Sequence, residues 1–309
     1  MEEVLSWLNQ PLLQDSFLRL WMAIAAGAVL VLALLLVLVL IRKRKRKKKA
    51  KSDEEEPITE QPAPRPVLEL ANLQGIGSRE EQQDAFGISR MARMEEDGLL
   101  AVLCDGMGGM AEGGMIAAET AAEMVAMFPW EDDGAVPEWV RQRSGRVYQQ
   151  FRGHGGTTLV AALLRGRSLS FWCVGDSDLF LLREGRLYAL NVRQEFKNDL
   201  ILRALEGAFP VEDAFTDPQA GALSEYIGKE DVKCDYTYLP FPLQPEDVLL
   251  LCSDGVSDTL TLKQIREAMA LPPQACCDKL EEEILAAGRP NQDNYTAIVM
   301  QYHGNGEET

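Results

Sequence analysis

The 309-residue sequence predicts an α+β domain in which two sheets are covered by helices, preceded by one transmembrane helix. Three observations predict this fold. Residues 21–41 form a long uncharged apolar run, short apolar runs typical of buried strands cluster between residues 67 and 302, and helix-like segments separate those clusters. The chain shows no internal repeat.

The apolar run at residues 21–41 is long enough to cross a membrane. It contains no charged or strongly polar side chain, and at about 1.5 Å per residue it spans roughly 31 Å, close to the hydrocarbon thickness. A buried core helix rarely stays apolar all round over such a length. A cleaved signal peptide would carry its basic residues ahead of the run and a small-residue cleavage site after it, whereas here the basic residues follow.

Nine basic residues between Arg42 and Lys51 lie next to the predicted span. Basic flanks of this kind mark the cytoplasmic side of a membrane, and they lie where anionic lipid head groups would attract them. We therefore expect a single-pass protein of the cell membrane, with residues 1–20 outside the cytoplasm and the catalytic body inside. Residues 42–66 turn from basic to acidic and then proline-rich, a composition that predicts a linker.

The rest of the chain is strongly acidic. The first 51 residues carry 10 Lys and Arg against 3 Asp and Glu, a net charge of +7, so the total of −17 leaves −24 for residues 52–309. Nucleic acid is not expected as a partner, because phosphate contacts need a basic surface. The six cysteines show no metal-ligand spacing and are expected to be reduced structural thiols. With only His154 and His303, a His-rich zinc centre is excluded and a Ser-His-Asp triad has little scope.

From residue 67 onward the pattern becomes globular. The predicted strands are residues 67–71, 99–104, 157–164, 168–174, 179–183, 186–190, 247–253 and 296–302. The predicted helices are residues 115–128, 195–205, 261–270 and 275–287.

Four short acidic segments are spread over this globular part. Asp105 ends the apolar run 99–104 and Asp254 follows the run 248–252, so each carboxylate would sit on the rigid end of a buried strand. Asp84 closes an acidic segment that begins at Arg79, and Asp293 is followed by an asparagine. Each segment alone is weak, because Asp-Gly is a common turn and a charged stretch is usually a solvated face. Together they indicate oxygen ligands for a hard divalent cation, and so a metal-dependent hydrolase.

Six motifs in a fixed order make this interpretation more specific. They are Arg79 with Asp84, Asp105 to Gly109, Gly156-Thr157-Thr158, Gly175-Asp176-Ser177, Ser253-Asp254-Gly255, and Asp293-Asn294. Through these motifs, residues 70–302 resemble the metal-dependent protein phosphatases of the 2C type, in the bacterial-like form. The resemblance implies an αββα sandwich of two antiparallel sheets over residues 67–304, with the metals in a cleft at one end and residues 305–309 as a tail.

The resemblance also implies a set of metal ligands. Asp105 matches the aspartate that bridges two Mn²⁺ or Mg²⁺ ions, and the carbonyl of Gly106 matches a backbone ligand. Asp254 and Asp293 match terminal ligands of one ion. The two ions would orient a shared water and lower its pKa for in-line attack on phosphorus, so that no covalent nucleophile is needed.

Three further residues surround these ligands in the resemblance. Arg79 matches an arginine that holds two phosphoryl oxygens through parallel hydrogen bonds, with an exposed loop arginine as the alternative. Asp84 matches a carboxylate that holds metal-bound water. Asp176 matches a ligand of a weaker third ion, alongside Asp254 and Asp258, with a plain structural turn as the alternative.

The sequence departs from the family pattern at three positions. Gln83 stands where many members have glutamate. Met107 stands where eukaryotic members carry a histidine proposed as general acid, so the leaving alkoxide would take its proton from metal-bound water. Asp178 replaces the arginine that commonly follows the Gly-Asp-Ser motif. None of these changes touches the core ligands.

These inferences predict a membrane-anchored signalling phosphatase that acts on phosphoserine and phosphothreonine in proteins. Two alternatives stay open, a binding module that kept the fold and lost activity, and a hydrolase of small phosphate esters. The intact Asp105, Asp254 and Asp293 argue against the first. The tether argues mildly against the second, because holding an enzyme at a membrane raises its effective concentration near membrane-bound protein partners.

Overall fold

The computed structural model describes residues 67–107 and 112–304. The expected N-terminal segment 1–20, transmembrane helix 21–41, linker 42–66 and tail 305–309 lie outside the described residues, as does the part of the glycine motif at 108–111. Within the two described ranges, no helix is long and apolar enough to cross a membrane.

The described strands form two antiparallel sheets. They are β1 Leu68–Gly75, β2 Asp84–Ile88, β3 Leu99–Asp105, β4 Leu159–Arg165, β5 Ser168–Val174, β6 Asp178–Arg183, β7 Arg186–Ala189, β8 Asp235–Tyr236, β9 Phe241–Pro242, β10 Asp247–Cys252 and β11 Tyr295–Tyr302. The first sheet has the order β1–β11–β10–β6–β7. The second has the order β2–β3–β4–β5–β8, and β9 also pairs with β5. Strand pairing is antiparallel throughout both sheets as described.

The described chain has eight α-helices, four of which cover the outer faces of the sheets. The eight helices are α1 Met94–Asp97, α2 Gly113–Ala126, α3 Val136–Phe151, α4 Phe196–Leu205, α5 Val211–Thr216, α6 Asp254–Ser257, α7 Leu262–Met269 and α8 Pro273–Ala287. Helices α2 and α3 pack on the second sheet, and α7 and α8 pack on the first, while α4 and α5 pack against each other. The expected α+β fold, two antiparallel sheets flanked by helices, is therefore confirmed for this part of the chain.

The central strands are apolar on both faces because each lies between the opposite sheet and a helix layer. In β3, Leu99 and Leu103 point into the core between the sheets, while Leu100, Val102 and Cys104 pack against α2 and α3. Successive side chains of a strand point to opposite faces. A strand buried on both faces therefore needs a continuous apolar run, which is the pattern that the sequence shows at residues 99–104.

Helix α3 is the largest element without a counterpart among the predicted ones. Its inward stripe includes Arg143 and Ser144 among the apolar Val140 and Val147. Arg143 forms ion pairs with Glu119 and Glu123 of α2, and the Ser144 hydroxyl donates to the carbonyl of Lys229 at 2.7 Å. Because two polar residues lie on the buried face, the apolar periodicity of this helix is too weak to be recognised in the sequence.

The strand ends that carry the acidic motifs meet at one end of the sandwich. Asp84 at the start of β2 lies opposite Asp105 at the end of β3. In the first sheet, Cys252 at the end of β10 lies opposite both Asp178 of β6 and Ala297 of β11. Antiparallel pairing places the end of one strand beside the start of its neighbour. The loops that follow β3, β5 and β10 and those that precede β2 and β11 therefore open toward the same end.

The core between the sheets should dominate the stability of the domain. Leu251 of β10 is fully buried there, and Leu251→Ala is expected to lower the free energy of unfolding by about 2–5 kcal/mol, since it leaves a cavity. The matched control is Leu285→Ala on the exposed face of α8, which should change it by less than about 0.5 kcal/mol. Urea denaturation followed by circular dichroism measures both. Equal effects would contradict this account of the core.

Candidate active site

A cleft of about 190 Å³ opens at this end of the sandwich. Its lining includes four aspartates from four different segments of the chain, which had been predicted as metal ligands. The lining residues are Asp105, Asp176, Asp254, Asp293, Met107, Thr158 and Leu223. The fold thus brings together side chains that lie up to 188 positions apart in the sequence.

The end of β3 holds Asp105 through a set of backbone and hydroxyl hydrogen bonds. Its N–H donates to the Thr158 hydroxyl at 2.9 Å. Its carbonyl accepts from the Thr157 hydroxyl at 2.7 Å and from the Thr158 N–H at 2.8 Å. Thr158 in turn shares a 2.7 Å hydrogen bond with the Ser177 hydroxyl. The Gly-Thr-Thr motif therefore fixes the backbone of Asp105 and ties it to the loop that carries Asp176.

Gly106, which follows Asp105, is closely surrounded by backbone. A Cβ at this position would lie 2.5 Å from the carbonyl carbon of Gly113 and 2.7 Å from the carbonyl oxygen of Gln83. Only glycine allows such an approach. Glycine is thus required after Asp105 because the backbone packs too closely there for a side chain.

Asp84 is buried beside Asp105 and only half of its carboxylate is satisfied. The Ser253 hydroxyl donates to Oδ2 at 2.8 Å, while Oδ1 is buried without a hydrogen-bond partner. Burial raises the pKa of Asp84 to about 6, and the charges of Asp254 and Asp293 add to the rise. Asp84 lies one strand away from Asp105 and outside the lining of the cleft.

Asp105 and Asp254 lie within hydrogen-bonding reach of each other. Burial, followed by the charges of Asp84 and Asp254, raises the pKa of Asp105 well above its usual range. Burial, followed by the charges of Asp258 and Asp293, raises the pKa of Asp254 as well. The Oδ1 atom of Asp254 is buried without a partner. Two buried carboxylates this close repel each other unless they share a proton or a cation.

Asp293 is held by the arginine that was predicted to bind phosphate. Arg79 Nη2 donates to Asp293 Oδ2 at 2.6 Å, with the two side chains 49% and 40% exposed. The neighbouring Asn294 fixes the loop in front of them, because its amide group donates to the carbonyls of Ile76 and Glu81 and accepts from the Gln83 N–H. Arg79 is therefore at the rim of the cleft, as expected, but is paired with a predicted ligand.

Asp176 follows β5 in a tight turn against Asp254. Gly175 has φ +97° and its missing Cβ would lie 2.7 Å from Thr158 Cγ2, so the turn requires glycine. Burial raises the pKa of Asp176 to about 7, the charge of Asp254 adds to this, and the charge of Arg193 opposes it. Asp258, its expected companion, is not free, because Arg193 Nη1 contacts Asp258 Oδ1 at 2.6 Å.

The donor set fits divalent cations of the Mg²⁺ or Mn²⁺ type. The lining offers carboxylate oxygens, two buried carboxylate oxygens are without partners, and the carboxyl pKa values are raised because negative charges face one another. Hard cations prefer such oxygen ligands. No three His, Cys, Asp or Glu side chains of the described ranges are already drawn around one point. One of the predicted ligands, Asp293, is paired with Arg79.

A larger cavity, of about 600 Å³, lies beyond the other end of β2. Its lining includes Ile88, Phe128, Pro129 and Arg93, and Arg93 is paired with Asp97. None of the acidic motifs contributes to it. The chemistry of the chain is therefore concentrated in the smaller cleft.

Comparison with known proteins agrees with this geometry. The profile of the family described as Protein phosphatase 2C matches residues 75–287. The chain belongs to the protein phosphatase 2C family. It is similar to the serine/threonine protein phosphatase PstP of Mycobacterium tuberculosis, with 31% identity over 217 residues that cover 65% of this chain and 40% of PstP. It thus spans less than half the length of that relative.

Two further similarities bear on the phosphatase 2C fold and its metals. The serine/threonine phosphatase stp of Listeria welshimeri is 26% identical over 219 residues, which cover 65% of this chain and 84% of stp. A solved structure of the PstP catalytic domain in complex with 2 manganese ions matches with a TM-score of 0.60 and 27% identity, over 76% of this chain and 98% of that one. The expected cofactor, Mn²⁺ or Mg²⁺, agrees with the ions of that structure.

The sequence motifs include every described lining residue of the cleft except one. Leu223 lines the cleft from the segment between α5 and β8, where no motif marks it. Arg193 likewise lies outside every motif, although it contacts Asp178 and Asp258. A lone arginine gives no signal in one sequence, because its partners lie 15 and 65 residues away.

The raised carboxyl pKa values predict a pH-dependent effect of metal on stability. Asp84 and Asp176 have pKa values of about 6 and about 7 against an ordinary value of 3.8. Their contribution to stability is therefore fully present below pH 3.8 and is lost as the pH rises through 6 to 7. Without metal, the protein should melt at a lower temperature at pH 8 than at pH 5.5.

Mn²⁺ should raise the melting temperature more at pH 8 than at pH 5.5, because at the higher pH it replaces protons that have left. Thermal scans with chelator and with Mn²⁺ measure this difference. Asp176→Asn should reduce the pH dependence seen with chelator. An equal Mn²⁺ effect at both pH values would contradict the assignment of the titrating groups.

Proposed function

We propose that this chain is a membrane-anchored, metal-dependent phosphatase that hydrolyses phosphoserine and phosphothreonine in proteins. The observation that carries the proposal is the convergence of Asp105, Asp254 and Asp293 in one cleft with Arg79 at its rim. Membership of the phosphatase 2C family and the similarity to two serine/threonine phosphatases support the reaction type.

The metal-binding residues of the proposal are Asp105, the carbonyl of Gly106, Asp254 and Asp293. Asp105 stands next to Asp84 and Asp254, so it is the carboxylate best placed to be shared between two positions. Two divalent cations bound there would supply an activated water and offset the charge of the phosphoryl group. Ser253 and Thr158 support the ligands, because their hydroxyls fix Asp84 and the backbone of Asp105.

Arg79 is proposed to bind the phosphoryl group of the substrate. Its ion pair with Asp293 is about half exposed, and such pairs contribute at most about 1 kcal/mol. The oxygens of a phosphoryl group are spaced to accept two parallel hydrogen bonds from the guanidinium. This bidentate contact is stronger than the exposed ion pair with Asp293. Arg79 can therefore exchange one partner for the other at little cost.

The leaving serine or threonine must receive a proton, and Met107 cannot provide one. Met107 lines the cleft beside Asp105 and its thioether carries no titratable proton. The other lining residues that are not aspartates, Thr158 and Leu223, are not acids either. We therefore propose that water in the open cleft protonates the leaving alkoxide.

The membrane attachment rests on residues outside the described ranges. Residues 21–41 are apolar throughout and nine basic residues follow them between Arg42 and Lys51. We propose that this segment anchors the protein in the cell membrane, with the phosphatase domain in the cytoplasm and the basic stretch near anionic lipids.

Full-length protein in mild detergent should release phosphate from phosphoserine and phosphothreonine peptides only when Mn²⁺ or Mg²⁺ is present. Asp105→Asn should abolish turnover, while Asp254→Asn and Asp293→Asn should be partly rescued by extra Mn²⁺. The control, Asp213→Asn on exposed α5, should keep full activity. A malachite green assay measures the phosphate released by the wild type and by each variant.

Full activity after thorough chelation would contradict the proposal, and so would an active Asp105→Asn variant. Cleavage of p-nitrophenyl phosphate but of no phosphopeptide would favour a hydrolase of small esters. Inactivity on both with bound Mn²⁺ would favour the binding module.

Arg79→Ala should raise the KM for phosphopeptides about ten- to hundredfold, because a bidentate contact with a charged group is worth about 1.5–3 kcal/mol. Arg79→Lys should restore only part of the loss, since lysine cannot form the parallel pair. Arg186→Ala, an exposed arginine on the edge strand β7, is the control. Steady-state kinetics on one phosphopeptide measures all three. An unchanged KM and kcat in Arg79→Ala would make it a surface residue.

A reporter enzyme fused after Thr309 should behave as cytoplasmic, because the basic residues follow the apolar segment. Deletion of residues 1–41 should release the protein from washed membranes without changing its kcat, since no proposed ligand precedes Arg79. Protease added to intact cells that digests the phosphatase domain would contradict the orientation. Recovery of the full-length chain in the soluble fraction would contradict the anchor.

A further inference from the structure

Arg193 forms hydrogen bonds with three side chains near Asp176 and Asp254, and an ion pair with Glu195 at 3.5 Å, beside the position where a third metal ion was expected. Its Nη2 lies 2.7 Å from Asp178 Oδ2 and 2.6 Å from the Ser257 hydroxyl. Its Nη1 lies 2.6 Å from Asp258 Oδ1. The guanidinium thus joins the start of β6 to the end of helix α6, which carries the ligand Asp254.

The position of Arg193 is fixed from several directions. The next residue, Gln194, exchanges hydrogen bonds with Gly175, since its N–H donates to the Gly175 carbonyl and its side chain accepts from the Gly175 N–H, both at 2.8 Å. Asn198 donates to the carbonyl of Arg193 at 2.6 Å. Asp178 is buried, so the arginine is paired with a carboxylate that solvent does not screen. These contacts therefore hold the guanidinium of Arg193 in a fixed position beside the site.

Asp258, which was expected to be a ligand of a third metal ion, is a partner of Arg193 instead. Helix α6 places Asp254 and Asp258 one turn apart, with the Asp258 N–H donating to the Asp254 carbonyl at 2.7 Å. Arg193 contacts Oδ1 of Asp258, so a third ion held by Asp176, Asp254 and Asp258 would have to share this carboxylate with the guanidinium. It would also lie next to a fixed positive charge, which repels a divalent cation strongly in a partly buried site. Asp178, where an arginine is common in the family, supplies the partner that holds Arg193 there.

We propose that the guanidinium of Arg193 takes the place of the third divalent cation in this protein, so that the cleft binds two metal ions and Asp258 is not a metal ligand. Arg193 is a positioning residue: it holds the start of β6, which follows the Asp176 turn, against α6 as a bound ion would, without depending on the metal concentration. This inference rests on the proposed two-ion centre and concerns only the position beside it.

The number of Mn²⁺ ions bound per chain tests the inference. Full-length protein in detergent is stripped with chelator, dialysed against rising Mn²⁺ into the millimolar range, and its bound metal is measured by mass spectrometry. The wild type should reach a plateau of two ions, and Asp258→Asn should leave that plateau unchanged. Arg193→Gln should add a third ion, and combining it with Asp258→Asn should return the plateau to two.

Arg183→Gln is the matched control, because Arg183 is also a partly buried arginine paired with a buried aspartate, Asp247, but belongs to the other end of β6. It should leave the plateau at two. If Arg193→Gln fails to fold, as judged by circular dichroism, the wild type and Asp258→Asn still decide. A wild-type plateau of three that Asp258→Asn lowers to two would overturn the inference.

A folded Arg193→Gln variant that still binds two ions would also overturn it, since the arginine would then not be what excludes the third. The proposed function fails differently. In that case the wild type would bind no Mn²⁺ in the cleft, or Asp105→Asn would bind as many ions as the wild type.

Discussion

Repulsion among carboxylates is the constraint on which the site depends. Asp84, Asp105, Asp176 and Asp254 lie together at one end of the sandwich, where burial and mutual charge raise their pKa values. A fold gains nothing from such a cluster by itself, because each buried charge without a partner is destabilising. The cluster becomes stable only when cations or protons balance it. The arrangement therefore indicates a metal site that lowers the stability of the protein when no metal is bound.

The sandwich tolerates this cluster because its supports are rigid and apolar. Cys104 and Cys252, which precede the two acidic strand ends, are fully buried in separate layers of the core. The hydroxyls of Thr158 and Ser253 then fix the carboxylates and their backbone without adding charge. Two arginines place positive charge near these carboxylates. Arg79 lies at the exposed rim of the cleft, and Arg193 is paired with the buried Asp178. The exposed pair is exchangeable, whereas the buried one is a fixed part of the site.

Much of this could be predicted from the sequence, for identifiable reasons. The runs at residues 99–104 and 247–252 are continuous because their strands are buried on both faces, and that pattern, with the aspartates that follow, is visible in one sequence. Helix α3 could not be predicted, because Arg143 and Ser144 interrupt its apolar stripe and are satisfied only by residues of distant segments. The role of Arg193 could not be predicted either, since only the folded chain brings it to Asp258. The pairing of Arg79 with Asp293 joins two motifs that had been assigned separate roles.

The central claim is that the converging aspartates hold two divalent cations. Anomalous diffraction from crystals grown with Mn²⁺, recorded at the manganese absorption edge, tests it most directly. The account predicts two anomalous peaks, both in contact with the carboxylate of Asp105, and no peak between Asp176 and Asp258. Anomalous density confined to other parts of the surface, with none at Asp105, would contradict it.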